Sequence, residues 1–120
     1  MTPPLQVIRG QCPSKSNCYK IIKLRGKATM KKDEALIKYE EAFAWQCNKY
    51  RNRMIKGDFL LNLKVYYPSR RQDLDNSFKI ILDCLQACKA IKNDRNCTKI
   101  IAERLIDKDN PRIEFYLEEL

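Results

Sequence analysis

The stretch FLLNLKVYYPSRRQDLDNSFKIILDCL, residues 59–85, decides how this chain folds. Its first nine residues alternate. Phe59, Leu61, Leu63, Val65 and Tyr67 share one face, and Leu60, Asn62, Lys64 and Tyr66 share the other, the period-two pattern of a strand. Pro68 breaks regular pairing. After a polar turn the period changes: Phe78, Ile81, Leu82, Leu85 and Cys88 recur at the spacing of an amphipathic helix. The stretch therefore reads as strand, acidic turn, helix.

Working outward, "LQVI" near the N-terminus is a short strand ended by Gly10 and the "CPSKSN" turn. "YKIIKL", residues 19–24, reads as a second strand paired back on the first as an irregular hairpin. From Asp33 to Tyr50 the spacing is helical, with Leu36, Tyr39, Phe43, Cys47 and Tyr50 in one core-facing stripe and Trp45 off it. Two strands follow the second helix, near residues 97–106 and 112–118. In the last of them Ile113, Phe115 and Leu117 alternate with Arg112, Glu114, Tyr116 and Glu118. The expectation is an α/β (α+β) fold in the order strand-strand-helix-strand-helix-strand-strand. Two main helices would lie on a mixed sheet of about four to five strands, in one domain over residues 1–120.

Composition sets bounds. A chain of 120 residues with 44% hydrophobic content suits a globular domain rather than a disordered segment. No apolar run approaches the roughly 20 residues that span a bilayer, and "MTPPLQVIRG" lacks the charged start and apolar core of a signal peptide. These features predict a soluble, cytoplasmic protein. Cys12, Cys18, Cys47, Cys84, Cys88 and Cys97 contain no C-x-x-C pair, and the chain has no histidine, so they read as packing residues rather than zinc ligands.

The net charge is +9. Lys15, Lys20, Lys23, Arg25, Lys27, Lys31 and Lys32 all precede the first acid, Asp33, and Lys49, Arg51, Arg53 and Lys56 form a second group. Such fields favour polyanions through counterion release, although a solvated basic surface is the plainer alternative.

Against that background the turn "RRQDLDN" sets Arg70 and Arg71 beside Asp73 and Asp75. In an extended segment, acids two apart point the same way. One reading is structural: Asp75 or Asn76 caps the second helix and Asp73 pairs with Arg71. The other is chemical. Paired carboxylates repel unless a hard divalent cation such as Mg²⁺ relieves them, while the arginines grip a phosphate backbone. Asp94, in the turn after the second helix, can join the pair if the following strand lies beside the one ending at Tyr67. Three carboxylates with open water positions make a phosphodiesterase site, and without histidine the nucleophile would be metal-activated water. Lys79, one turn beyond Asp75, either stabilises developing charge or makes an i,i+4 pair with Asp83.

At this point the motifs carry a resemblance. "DLDNSFKIILDCL", followed after a short gap by "NDRN", resembles the signature of the RusA family of Holliday-junction resolvases, and "GQCPSKSNCY" is similar to that family's Gly-x-Pro-Pro-Ser-Lys-x-Asn segment. The resemblance implies an endonuclease dependent on Mg²⁺, with Mn²⁺ possible, that cuts four-way junction DNA as a homodimer in recombination and repair. It implies a bacterial or phage-encoded protein. By motif matching, Asp73, Asp75 and Asp94 bind the metal and Lys79 acts as a cation rather than a proton acceptor; beside them, the charge pattern makes Arg70, Arg71 and Lys15 the expected DNA contacts. Three positions depart from the family pattern: Gln72 where a basic residue is common, Asn93 where an acid is common, and Cys12 in place of a proline. A nuclease for other branched or flap DNA, and a DNA-binding module with purely structural acids, remain alternatives.

Overall fold

The computed structural model describes residues 2–13 and 19–120. Residues 14–18, including the expected DNA contact Lys15, lie outside the described residues. The elements are β1 (Gln6–Arg9), β2 (Tyr19–Leu24), β3 (Lys27–Lys32), α1 (Glu34–Gln46), β4 (Phe59–Tyr67), α2 (Phe78–Ala87), β5 (Cys97–Ile106) and β6 (Arg112–Glu119). Short 3₁₀ turns, Leu74–Ser77 and Asp94–Asn96, precede α2 and β5 respectively.

Four strands form one mixed sheet in the order β1-β6-β4-β5, and β2 and β3 form a separate two-stranded ribbon. The β4–β5 pair is parallel, whereas β6 runs antiparallel to both β1 and β4. This bears out the mixed α+β class with two helices. Two details are corrected. The first strand does not pair with the second; it pairs with the C-terminal strand, Gln6 opposite Phe115 and Ile8 opposite Ile113. The second pairs instead with β3, a strand the sequence reading did not anticipate.

The alternation of β4 decides where the core lies. Phe59, Leu61, Leu63, Val65 and Tyr67 are all buried, together with Ile113, Phe115 and Leu117 of β6. On that face both helices pack. The α1 stripe Leu36, Tyr39, Phe43, Cys47 and Tyr50 is buried as its spacing predicts, and Trp45 is exposed. Phe43 stacks on Phe115 with ring centroids 6.0 Å apart. The helix itself ends at Gln46, so Cys47 is its C-cap and Tyr50 reaches the core from the following turn. On α2 the buried residues are Ile80, Ile81, Cys84 and Leu85, with Cys88 beyond the helix end, while Phe78 and Leu82 are only partly covered. The inward face is thus turned slightly from the predicted stripe. Cys12, Cys47, Cys84 and Cys88 are buried core residues.

Candidate active site

The site grows from the β4-α2-β5 unit. Because β4 and β5 are parallel, with Phe59 opposite Cys97 and Tyr67 opposite Ile106, α2 must carry the chain back along the sheet. The "RRQDLDN" turn therefore follows the end of β4, and Asp94 precedes the start of β5 at the opposite end of the paired strands.

The turn is braced from β5. Arg104, which the sequence reading did not single out, donates through Nη1 to the carbonyl of Gln72 at 3.0 Å. Ser69 Oγ lies 3.4 Å from Gln72 Oε1 and accepts from the Arg71 amide at 3.4 Å. Gln72 is thus a turn residue. A long polar residue two strands of sequence away gives no motif, so only the register of β5 reveals Arg104.

The local geometry revises the reading of the two aspartates. The segment is not extended through Asp75. Asp73 is the last extended residue, with φ −85° and ψ 137°, and the 3₁₀ turn begins at Leu74. The N-cap of α2 is Ser77, not Asp75 or Asn76, and Asp73 holds the N-cap of the preceding 3₁₀ turn, neither with a side-chain capping bond. Ser77, fully buried, secures the turn by donating from Oγ to the Leu74 carbonyl at 2.7 Å. The Asp73–Arg71 ion pair of the structural alternative is absent among the described residues. Asp73, Asp75, Arg70 and Arg71 are all exposed, and among the described residues no cation forms an ion pair with either aspartate.

Asp94 is held quite differently. Its carboxylate accepts from Lys79 Nζ at 2.7 Å, and its amide donates to Gln86 Oε1 at 3.0 Å. Asn93 caps the 3₁₀ turn by accepting from the Arg95 amide at 3.0 Å, so the amide at this position does the local work that an acid would do. Asn96 ties the turn to the Lys56 carbonyl at 2.9 Å. Lys79 also reaches Asp83 at 2.9 Å, so the simple i,i+4 pair and the contact with Asp94 coexist. Hydrogen bonds to both carboxylates pull the Lys79 ammonium well above its ordinary range, and the bond from Lys79 holds Asp94 below the usual carboxylate range. Lys79 is thus a fixed cation at neutral pH. Below the turn, burial pushes the Tyr67 hydroxyl up to about 12, which keeps it neutral.

The three aspartates are not gathered into one cation-sized cluster among the described residues. Strand β5 does lie beside β4, and Lys79, one turn beyond Asp75, bonds Asp94 at 2.7 Å, which links the second acidic segment to the helix that follows the first. The donor chemistry nevertheless fits a hard divalent ion: the candidate ligands are three carboxylates, two of them without a counter-cation among the described residues.

Comparison with known proteins gives one result. A search of curated proteins found no match. The family model for endodeoxyribonuclease RusA matches residues 13–118, a span that contains the acidic turn, α2, Asp94 and all but the first strand of the fold. The chain belongs to the RusA family of endodeoxyribonucleases, Holliday-junction resolvases that hydrolyse DNA phosphodiester bonds.

Proposed function

We propose that this chain acts as a single-domain homodimer that resolves four-way DNA junctions by paired nicks, with Mg²⁺ as its ion and Mn²⁺ as a substitute, in the cytoplasm of a bacterial or phage-infected cell. Nucleases of the RusA family are generally dependent on a divalent metal. The observation that best supports the assignment is the Lys79–Asp94 ion pair at 2.7 Å, which joins the second acidic segment to the helix that follows the first.

Asp73, Asp75 and Asp94 would hold the ion. A bound divalent cation supplies charge neutralisation at the phosphate and lowers the pKa of the attacking water. The protein's own residues do the rest. Lys79, kept protonated by two carboxylates, places a positive charge beside Asp94 that suits a phosphate oxygen or a leaving oxygen. Arg70 and Arg71, exposed on the turn that Arg104 braces, offer their guanidinium groups to the backbone phosphates, and Lys15 adds a further cation. A two-fold symmetric dimer presents two such sites to the two symmetry-related strands of a junction.

The test is cleavage of an end-labelled four-way junction beside linear duplex and flap DNA, with and without Mg²⁺. Symmetric, Mg²⁺-dependent nicks confined to the junction are expected. Equal cutting of flap and junction would remove the junction assignment, and cutting in chelator would remove the metal.

A further inference from the structure

The β2–β3 ribbon has no place in the site just described. Its register runs from Tyr19 opposite Lys32 to Leu24 opposite Lys27, closed by Arg25 and Gly26 at φ 52° and 79°. Two central residues with positive φ are the geometry of a tight primed turn, which a glycine at the second position favours. Strand β3 is exposed along its whole length, and the ribbon forms its own sheet apart from the four-stranded one. Its base is tied to α1 by Lys32 and Glu40 at 3.0 Å. The molecule measures 54 × 33 × 24 Å with a radius of gyration of 14.9 Å, against about 13.6 Å for a compact domain of this length.

An isolated two-stranded ribbon is marginally stable in water, so its composition matters. It carries Lys20, Lys23, Arg25, Lys27, Lys31 and Lys32 and no acid. Lys23, Arg25, Lys27 and Lys31 are exposed, and among the described residues none has an ion-pair partner. Between these cations, Ile21 and Met30 stand opposite each other and are 75% and 67% exposed. Uncompensated cations on both strands oppose self-association of the ribbon and complement a polyanion. A two-stranded ribbon is also one of the shapes that the DNA major groove admits.

We propose that the β2–β3 ribbon is a DNA-binding arm that grips a duplex branch of the junction through its phosphates, separate from the residues that cut. The choice of DNA as the polyanion rests on the nuclease reading. Each phosphate that a basic residue neutralises contributes about 0.9 to the slope of log affinity against log salt.

The experiment measures that slope for full-length protein on a four-way junction, with Ca²⁺ replacing Mg²⁺. The variant carries Lys23→Gln, Arg25→Gln, Lys27→Gln and Lys31→Gln together. The slope should fall by about three to four, while the single-turnover cleavage rate at saturating protein in Mg²⁺ stays within about twofold. In parallel, a photoreactive phenylalanine analogue at Ile21 in otherwise unaltered protein should cross-link to labelled junction, which guards against a variant that misfolds. An unchanged slope with no DNA cross-link overturns the proposal, and so does a cross-link to a second copy of the chain. If the variant loses the slope and Ile21 cross-links to DNA, but wild type cuts no branched DNA, the nuclease reading fails while the arm stands.

Discussion

The two acidic segments of the site are held in opposite ways. Asp94 is fixed from three sides: Lys79 on its carboxylate, Gln86 on its amide, and the Asn93 cap within its own turn. Asp73 and Asp75 sit on a turn whose backbone is braced by Arg104 and Ser77, yet their carboxylates are exposed and have no counter-cation among the described residues. Lacking an ion pair does not by itself mark an acid here, since Asp58, Glu103 and Asp109 form none either among the described residues; what sets Asp73 and Asp75 apart is their place one turn before Lys79, which holds Asp94. Exposed ion pairs contribute little to folding. The open pair therefore costs little in the folded state and remains available to a cation.

That contrast is most easily broken at the open side. Asp73→Asn or Asp75→Asn should reduce junction cleavage by about three orders of magnitude, the loss of several kcal/mol of transition-state stabilisation, with folding and junction binding retained. Single-turnover assays beside binding curves decide this. A variant that cuts normally would make the acids structural.

At the closed side, Lys79→Met should lower the cleavage rate by about tenfold to a hundredfold, since one charge near the phosphate is lost while the acids remain. Raising the pH from about 6 to 9 should not mimic that loss, because the raised ammonium stays protonated throughout. A rate that follows a lysine titration within that window would contradict the fixed-cation role.

Arg104→Ala tests whether the open side is held by its backbone alone. Losing the bond to the Gln72 carbonyl removes about 1 kcal/mol, so cleavage should fall about fivefold with little change in the metal requirement. The smallest effect is on stability. Lys79 is about half exposed, so Lys79→Met should change the unfolding free energy by less than about 1 kcal/mol. The sign follows from the shifts. The Lys79 contribution is complete below the ordinary ammonium value and is lost only as pH rises through its raised value. The Asp94 contribution is present above the ordinary carboxylate range and is lost as pH falls through its lowered value. Thermal melts of wild type and variant should therefore differ by a constant small amount near neutrality and converge in acid.

How much of this was legible beforehand depended on range. Local periodicities carried β4, β6 and the α1 stripe, because burial on one face of a sheet or helix writes itself into the spacing of residues such as Phe59, Leu61 and Leu63. Strand β3 escaped because "KATMKK" is exposed on both faces and so has no apolar alternation, although the Arg25–Gly26 turn was a local signal for the hairpin. The partner of β1 was unreadable for another reason: its pairing with β6 spans nearly the whole sequence. In the site, the residue types were legible but not their relations. The Arg104 brace depends on the parallel β4–β5 register, which no local pattern encodes.

The central claim is that the open and closed acidic segments serve one divalent ion. The direct measurement is Mn²⁺ binding, read by electron paramagnetic resonance, to the junction-bound protein as wild type, Asp75→Asn and Asp94→Asn. The account predicts that either substitution weakens the same Mn²⁺ site by at least about tenfold, roughly the loss of one carboxylate's 1.4 kcal/mol. If Asp75→Asn weakens it and Asp94→Asn does not, the two segments do not share an ion, and Asp94 serves only to hold Lys79.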